Sequence, residues 1–190
     1  MKGAYMNLQH KAKIIPGVLT SRIKEDSTGT RYKLYDNYDF YKDTYDEVKP
    51  DVTAKYVTVA NDSAKVIVQQ GDVVINLTLQ QAAMIHTDNE LFLTFNFSKV
   101  ELHDDIDPLY FVYWFNQSRE ARNQIYKFVQ SGTQTKKISI HSLRTMDITY
   151  PSLAEQQLIG KLFEARERKQ ALLREKYTKE TQLLTTKYLT

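Results

Sequence analysis

The chain has 190 residues, 42% hydrophobic and 26% charged, which suits one mixed domain of about 150 residues plus an appendage and excludes both a large multidomain enzyme and a disordered chain. Cysteine is absent, so disulfides, thiolate nucleophiles and cysteine-held zinc are excluded together. The net charge is only +3, and no apolar run is long enough for a signal-peptide core or a membrane span, so a soluble, cytoplasmic protein is expected.

The distribution of charge says more than the total. Residues 1–35 hold seven Lys/Arg against two Asp/Glu, 36–109 five against fourteen, 110–154 six against two, and 155–190 eight against five. Two basic stretches around an acidic middle form a charged stripe if folding brings them to one side.

Taken in chain order, residues 1–13 lack periodicity and read as a flexible or partner-bound arm. From 14 to 59, short apolar runs alternate with the turn formers Pro16-Gly17, Ser27-Thr28-Gly29 and Lys49-Pro50-Asp51, the pattern of short strands. The clearest strand signal is a hairpin over 65–80, in which Val66 to Val68 and Val73 to Leu79 flank a turn at 69–72. Alternation in its second strand puts Ile75, Leu77 and Leu79 on a core face and Asn76, Thr78 and Gln80 on a polar one. Phe92, Phe95 and Phe97 are expected in the core.

One helix is expected from Asp107, a capping residue, and Pro108 to the vicinity of Ser131-Gly132, with Arg119 and Arg122 on one face. A polar, basic loop follows at 133–137, then a helical turn or strand over 138–146 and a last strand at 148–150. Ser152 and Glu155 make a capping box that opens a helix from Leu153 to about Tyr188. Such a helix would be roughly 50 Å long, longer than the domain can cover. Its apolar positions, among them Ile159, Leu162, Phe163, Leu172, Leu173, Tyr177, Leu184 and Tyr188, form a stripe that needs a partner helix.

Catalytic equipment is missing from the motifs. His10, His86, His103 and His141 stand in no metal-binding spacing, and the six glycines form no dinucleotide, phosphate or nucleophile-elbow loop, so no metal and no cofactor is expected. Asp104, Asp105 and Asp107 could hold a cation, although a solvated loop and a helix cap explain them more simply.

Gly71-Asp72-Val73-Val74-Ile75, Tyr110 to Trp114, Ser131-Gly132-Thr133-Gln134, Lys137-Ile138-Ser139-Ile140, Leu143 to Tyr150, Pro151 and Glu155-Gln156-Gln157-Leu158-Ile159, in this order, resemble the specificity subunit of type I restriction-modification systems. The resemblance runs from about Ile14 to the C-terminus and is most specific where Pro151, Glu155-Gln156 and Ile159 enter the long helix. It implies an α+β target recognition domain, residues 1–151, followed by a spacer helix, residues 152–190, that pairs as an antiparallel coiled coil. Such subunits usually carry two domains and two helices, so this chain looks like half of one. The resemblance implies no catalytic activity. It implies a duplex DNA partner, methyltransferase subunits, in some assemblies motor-nuclease subunits, and a homodimer through the helix.

Candidate DNA-contacting residues are Thr133, Gln134, Lys136 and Lys137 in the basic loop, Asn76, Thr78, Gln80 and Gln81 on the polar strand face, and Arg119 and Arg122 on the helix. For each set the plainer alternative is a solvated turn or surface. The repeat of Tyr32, Tyr35, Tyr38, Tyr41 and Tyr45 reads either as a DNA-stacking row or as a half-buried face. A rival function is a coiled-coil docking or inhibitory partner that does not read DNA. A self-sufficient nuclease is a third reading, weakened by the missing metal and nucleophile constellations.

Overall fold

The computed structural model describes residues 4–24, 26–46, 53–60, 66–130 and 137–188. The described residues begin with a strand, within the segment expected to be a flexible or partner-bound arm. β1 (Ala4–Asn7) pairs antiparallel with β10 (Asp147–Tyr150), setting Met6 opposite Ile148. Leu8 follows it into the core and donates its N–H to Met146 O at 2.7 Å. Four residues are too few for a period-2 pattern to show, and the partner lies 140 residues away, so nothing local announces the strand.

The central sheet has the order β2-β9-β6-β7, with β2 (Ala12–Pro16), β6 (Val73–Asn76), β7 (Gln81–Met84) and β9 (Phe97–Leu102) all antiparallel to their neighbours. A second sheet, β4-β3-β8-β5, is built from β3 (Thr30–Tyr35), β4 (Tyr56–Val59), β5 (Ile67–Val68) and β8 (Leu91–Leu93), with β3 and β8 parallel. The expected hairpin over 65–80 is therefore not a hairpin. β5 pairs with β8 and β6 with β7 and β9, so the turn between them carries the chain from one sheet to the other. That turn is closed by Asp72, whose carboxylate accepts from Gln69 N at 2.9 Å and from Lys99 Nζ at 2.8 Å, and Gly71 takes φ +86° where a side chain would be strained.

β6 is buried on both faces. Val73, Ile75 and Leu77 join one core cluster with β10 and the helices, while Val74 joins another with Tyr35, Phe40, Leu91 and Phe97 between the sheets. A strand enclosed on both sides reads as a continuous apolar run, and the alternation expected beyond Ile75 ends because the strand ends at Asn76. Phe92 and Phe97 are core as expected, whereas Phe95 is 41% exposed at the turn between β8 and β9.

The tyrosine repeat does not lie on one periodic element. Tyr32 and Tyr35 belong to β3, and Tyr38 and Tyr41 to α1 (Asn37–Asp43), a short helix within the stretch expected to hold only short strands. Asp36 and Asp39 form its capping box.

The single helix expected from Pro108 is two. α2 (Pro108–Gln117) is capped by Asp107, which accepts from Tyr110 N at 2.9 Å, and α3 (Arg119–Gln130) starts anew after Ser118. Ser118 is extended at φ −69°, ψ 138°; its N–H closes α2 on Trp114 O and its hydroxyl accepts from Ala121 N at 3.0 Å. α4 (Ile140–Arg144) is the expected helical turn. Asp105 is paired with Lys11, which accounts for that part of the acidic cluster without a cation.

α5 (Leu153–Tyr188) runs 36 residues, about 54 Å at 1.5 Å per residue. Its capping box is present: Glu155 N donates to Ser152 Oγ at 3.4 Å and Ser152 N to Glu155 Oε2 at 3.1 Å. Ile159 and Phe163, expected to face a partner helix, instead pack on the domain's own core, with the Phe163 ring 5.8 Å from Tyr113. The spacing that aligned them with the stripe is equally the spacing of a face laid on α2. Leu162, Leu172, Leu173, Tyr177 and Leu184 remain exposed, and the side chain of Tyr188 lies outside the described residues. Arg174 ties the helix back to the loop after α1, donating to Tyr45 O at 2.6 Å.

Candidate nucleic-acid interface

Four segments distant in sequence meet at one end of the domain. The turn after β6 is anchored by Leu77, whose N–H donates to Asn96 O at 2.9 Å in the turn between β8 and β9. The carbonyl of Leu77 accepts from Ile138 N at 3.0 Å, which brings in the end of the basic loop. Arg122 of α3 reaches Gln80 O at 3.5 Å. Hydrogen bonds thus gather Thr78, Gln80, Arg122 and Lys137, residues proposed separately from strand, helix and loop.

Their surroundings differ. Asn76 does not lie on an exposed polar face: it is 1% exposed, its amide oxygen accepts from Thr78 N and Leu79 N at 3.0 Å each, and its amide nitrogen donates to Asn37 Oδ1 at 3.1 Å. It builds the turn, because a buried polar group must find partners and these are the ones within reach. Thr78 is exposed and Gln80 and Gln81 are half-buried. Gln80 has φ +56°, a backbone state that costs a residue with a Cβ on the order of 1 kcal/mol and holds the turn's shape. Arg119 and Arg122 are exposed on α3. Thr133, Gln134 and Lys136 lie outside the described residues.

Lys137 donates to Phe95 O at 3.0 Å and stands 4.6 Å from the centre of the Phe95 ring. Partial burial pushes its ammonium pKa below the usual lysine value. The exposure of Phe95 is not legible in the sequence because its neighbours Phe92 and Phe97 are core, and only the turn between β8 and β9 turns the middle ring outward.

Asp43, at the end of α1, is buried and its carboxylate accepts from the Tyr35 hydroxyl at 2.8 Å and from His86 N at 3.0 Å. It borders a cleft of about 160 Å³ between α1, β7, α2 and α5, lined also by Tyr45, Asn116, Phe163 and Glu164. Asp43 is spent on holding the end of α1 to the segment after β7, Asn116 joins α2 to β7, and the Tyr45 hydroxyl reaches Glu164 of α5 at 3.5 Å. Among the described residues no three His, Asp or Glu side chains are placed to hold a metal ion, and no helix is long and apolar enough to cross a membrane.

The fold and the site define a mixed α/β recognition domain from which one long helix departs. The chain belongs to the type I restriction modification DNA specificity domain family, whose model matches residues 21–181. Among solved structures it is similar to one described as the structural basis underlying complex assembly and conformational transition of the type I R-M system, at 15% identity and TM-score 0.61 over 97% of this chain and 43% of that one. It is also similar to the HsdS subunit from Thermoanaerobacter tengcongensis, at 14% identity and TM-score 0.56 over 92% and 39%. The type I restriction-modification S subunit from M. genitalium gives 14% identity and TM-score 0.55 over 97% and 43%. At these identities the likeness is one of fold, and the chain spans less than half the length of each of these solved chains. A comparison with curated protein sequences gave no match.

Proposed function

We propose that the chain is a non-catalytic DNA-reading unit of a type I restriction-modification specificity subunit. Residues 1–151 read one part of a bipartite site, and the helix over 152–190 holds that domain at a set distance from a second one. The observation that carries this reading is the joining of the Thr78–Gln80 turn, Arg122 and Lys137 at one end of the domain. Cations there fix the phosphate backbone, and Gln and Thr side chains on a rigid turn meet base edges. The domain works in the cytoplasm, where the DNA is.

The exposed stripe of Leu162, Leu172, Leu173, Tyr177 and Leu184 supports pairing of α5 with a second helix, antiparallel, from another copy of the chain or from a second half-subunit. Methyltransferase subunits then dock on the assembled pair, joined in some assemblies by motor-nuclease subunits. A homodimer presents its two domains in inverted orientation and so predicts two inverted half-sites.

The test is selection of duplexes from a random pool by the chain with its methyltransferase, followed by competition binding at fixed salt. Recovery of a shared sequence supports the reading. A complex that forms without any DNA preference would instead support the docking or inhibitory role that the same helix stripe allows.

A further inference from the structure

Phe95 is presented rather than merely exposed. A single exposed aromatic is ordinary on a protein surface, but the backbone of this one is held from two sides. Lys137 donates to its carbonyl at 3.0 Å and to Asn96 Oδ1 at 3.5 Å, and Leu77 N donates to Asn96 O at 2.9 Å. Lys137 also lies over one region of the ring, 4.6 Å from its centre, leaving 41% of the residue accessible. Two residues past Leu77, Leu79 is 37% exposed on the neighbouring turn. Apolar groups thus project beside two cations, Lys137 and Arg122. A duplex complements that pattern, with anionic phosphates outside and apolar base faces and thymine methyls within.

We infer that Phe95, braced by Lys137, is the apolar contact that the chain makes with base pairs inside a groove of duplex DNA. This rests on the DNA-reading role proposed above and names the residue that acts through something other than charge. Phosphate contacts release counterions and weaken steeply with salt, whereas contact between a ring and bases does not.

The experiment measures the affinity of the chain with its methyltransferase for a duplex recovered by selection, at several salt concentrations, for the wild type, Phe95→Ala and Phe95→Trp. Phe95→Ala is expected to weaken binding about tenfold at every salt concentration while leaving the slope of log K against log salt unchanged. Phe95→Trp is expected to bind within about twofold of wild type, which separates loss of the ring from damage to the turn. Unchanged affinity for Phe95→Ala, or a loss accompanied by a flatter slope, overturns the inference and leaves the DNA-reading role standing. Failure of the wild-type complex to prefer any duplex overturns that role and the inference together.

Discussion

The side-chain carbonyl of Gln156 accepts the backbone N–H of Asp107 at 2.9 Å, fastening the first turn of α5 to the N-terminus of α2. The same amide donates to Asp105 O at 2.9 Å and Pro151 O at 3.1 Å, and the residue is 1% exposed. Its donor and acceptor sides are both used in a buried place, which explains why Gln stands where the sequence is most distinctive. Gln156→Ala is expected to leave three backbone groups unpaired and to lower stability by about 2–4 kcal/mol, measured by urea unfolding. Gln156→Glu is expected to cost at least as much, since a carboxylate cannot donate to the two carbonyls.

Gly160 lies where α5 passes close to α2. A Cβ there would lie 2.7 Å from Leu109 Cβ and 2.7 Å from Tyr110 N. Ala in an open helix position is worth about 1 kcal/mol over Gly, but here backbone would have to move. Gly160→Ala is expected to destabilise by about 1–2 kcal/mol and to tilt α5. A higher urea midpoint for the variant would show that the two helices are not in contact there.

Burial raises the Asp43 carboxyl above the usual carboxylate range, opposed in part by the hydrogen bonds from His86 N and the Tyr35 hydroxyl, and assisted by nearby Asp39. Between the unfolded value and this raised value the native state binds more protons than the unfolded one, so this group makes stability fall as pH rises through that window. Asp43→Asn retains an acceptor for His86 N and removes the contribution, flattening the slope of stability against pH above about pH 4. Asp43→Ala abandons the Tyr35 hydroxyl and His86 N and is expected to cost about 3 kcal/mol at neutral pH. Urea denaturation over a pH series checks both.

Leu172 and Leu173 lie on the part of α5 beyond its packing on α2, and both are exposed. Replacing both with Glu is expected to leave the urea midpoint of the domain unchanged and to abolish self-association in sedimentation. A drop in domain stability with association intact would assign these leucines to the chain's own core.

How much of this was legible in the sequence depended on how local each signal was. The Ser152 and Glu155 capping box, the Asp107 cap and the 36-residue helix were readable because donor, acceptor and period all lie within a few residues. The break at Ser118 was hidden because the apolar spacing of α2 runs on smoothly, and only a backbone turned to ψ 138° divides it from α3. β1 and the sheet change between β5 and β6 depend on partners far along the chain, which no window of sequence contains. Asn76 looked like a surface polar group because alternation assigns one face of its strand to solvent, whereas β6 is buried on both faces. Arg122 and Lys137 were picked for chemistry alone; their meeting at one end follows from hydrogen bonds at Gln80, Leu77 and Phe95.

The most direct measurement is equilibrium DNA binding by charge-reversed forms of the chain with its methyltransferase, comparing the Arg119→Glu/Arg122→Glu pair on α3 with Lys42→Glu in the last turn of α1. If the end formed by the Thr78–Gln80 turn, α3 and Lys137 is the DNA face, the double variant loses at least tenfold in affinity and flattens the salt slope by about 1–2, while Lys42→Glu binds as wild type. Equal losses from the two, or a loss confined to Lys42→Glu, would place the DNA elsewhere.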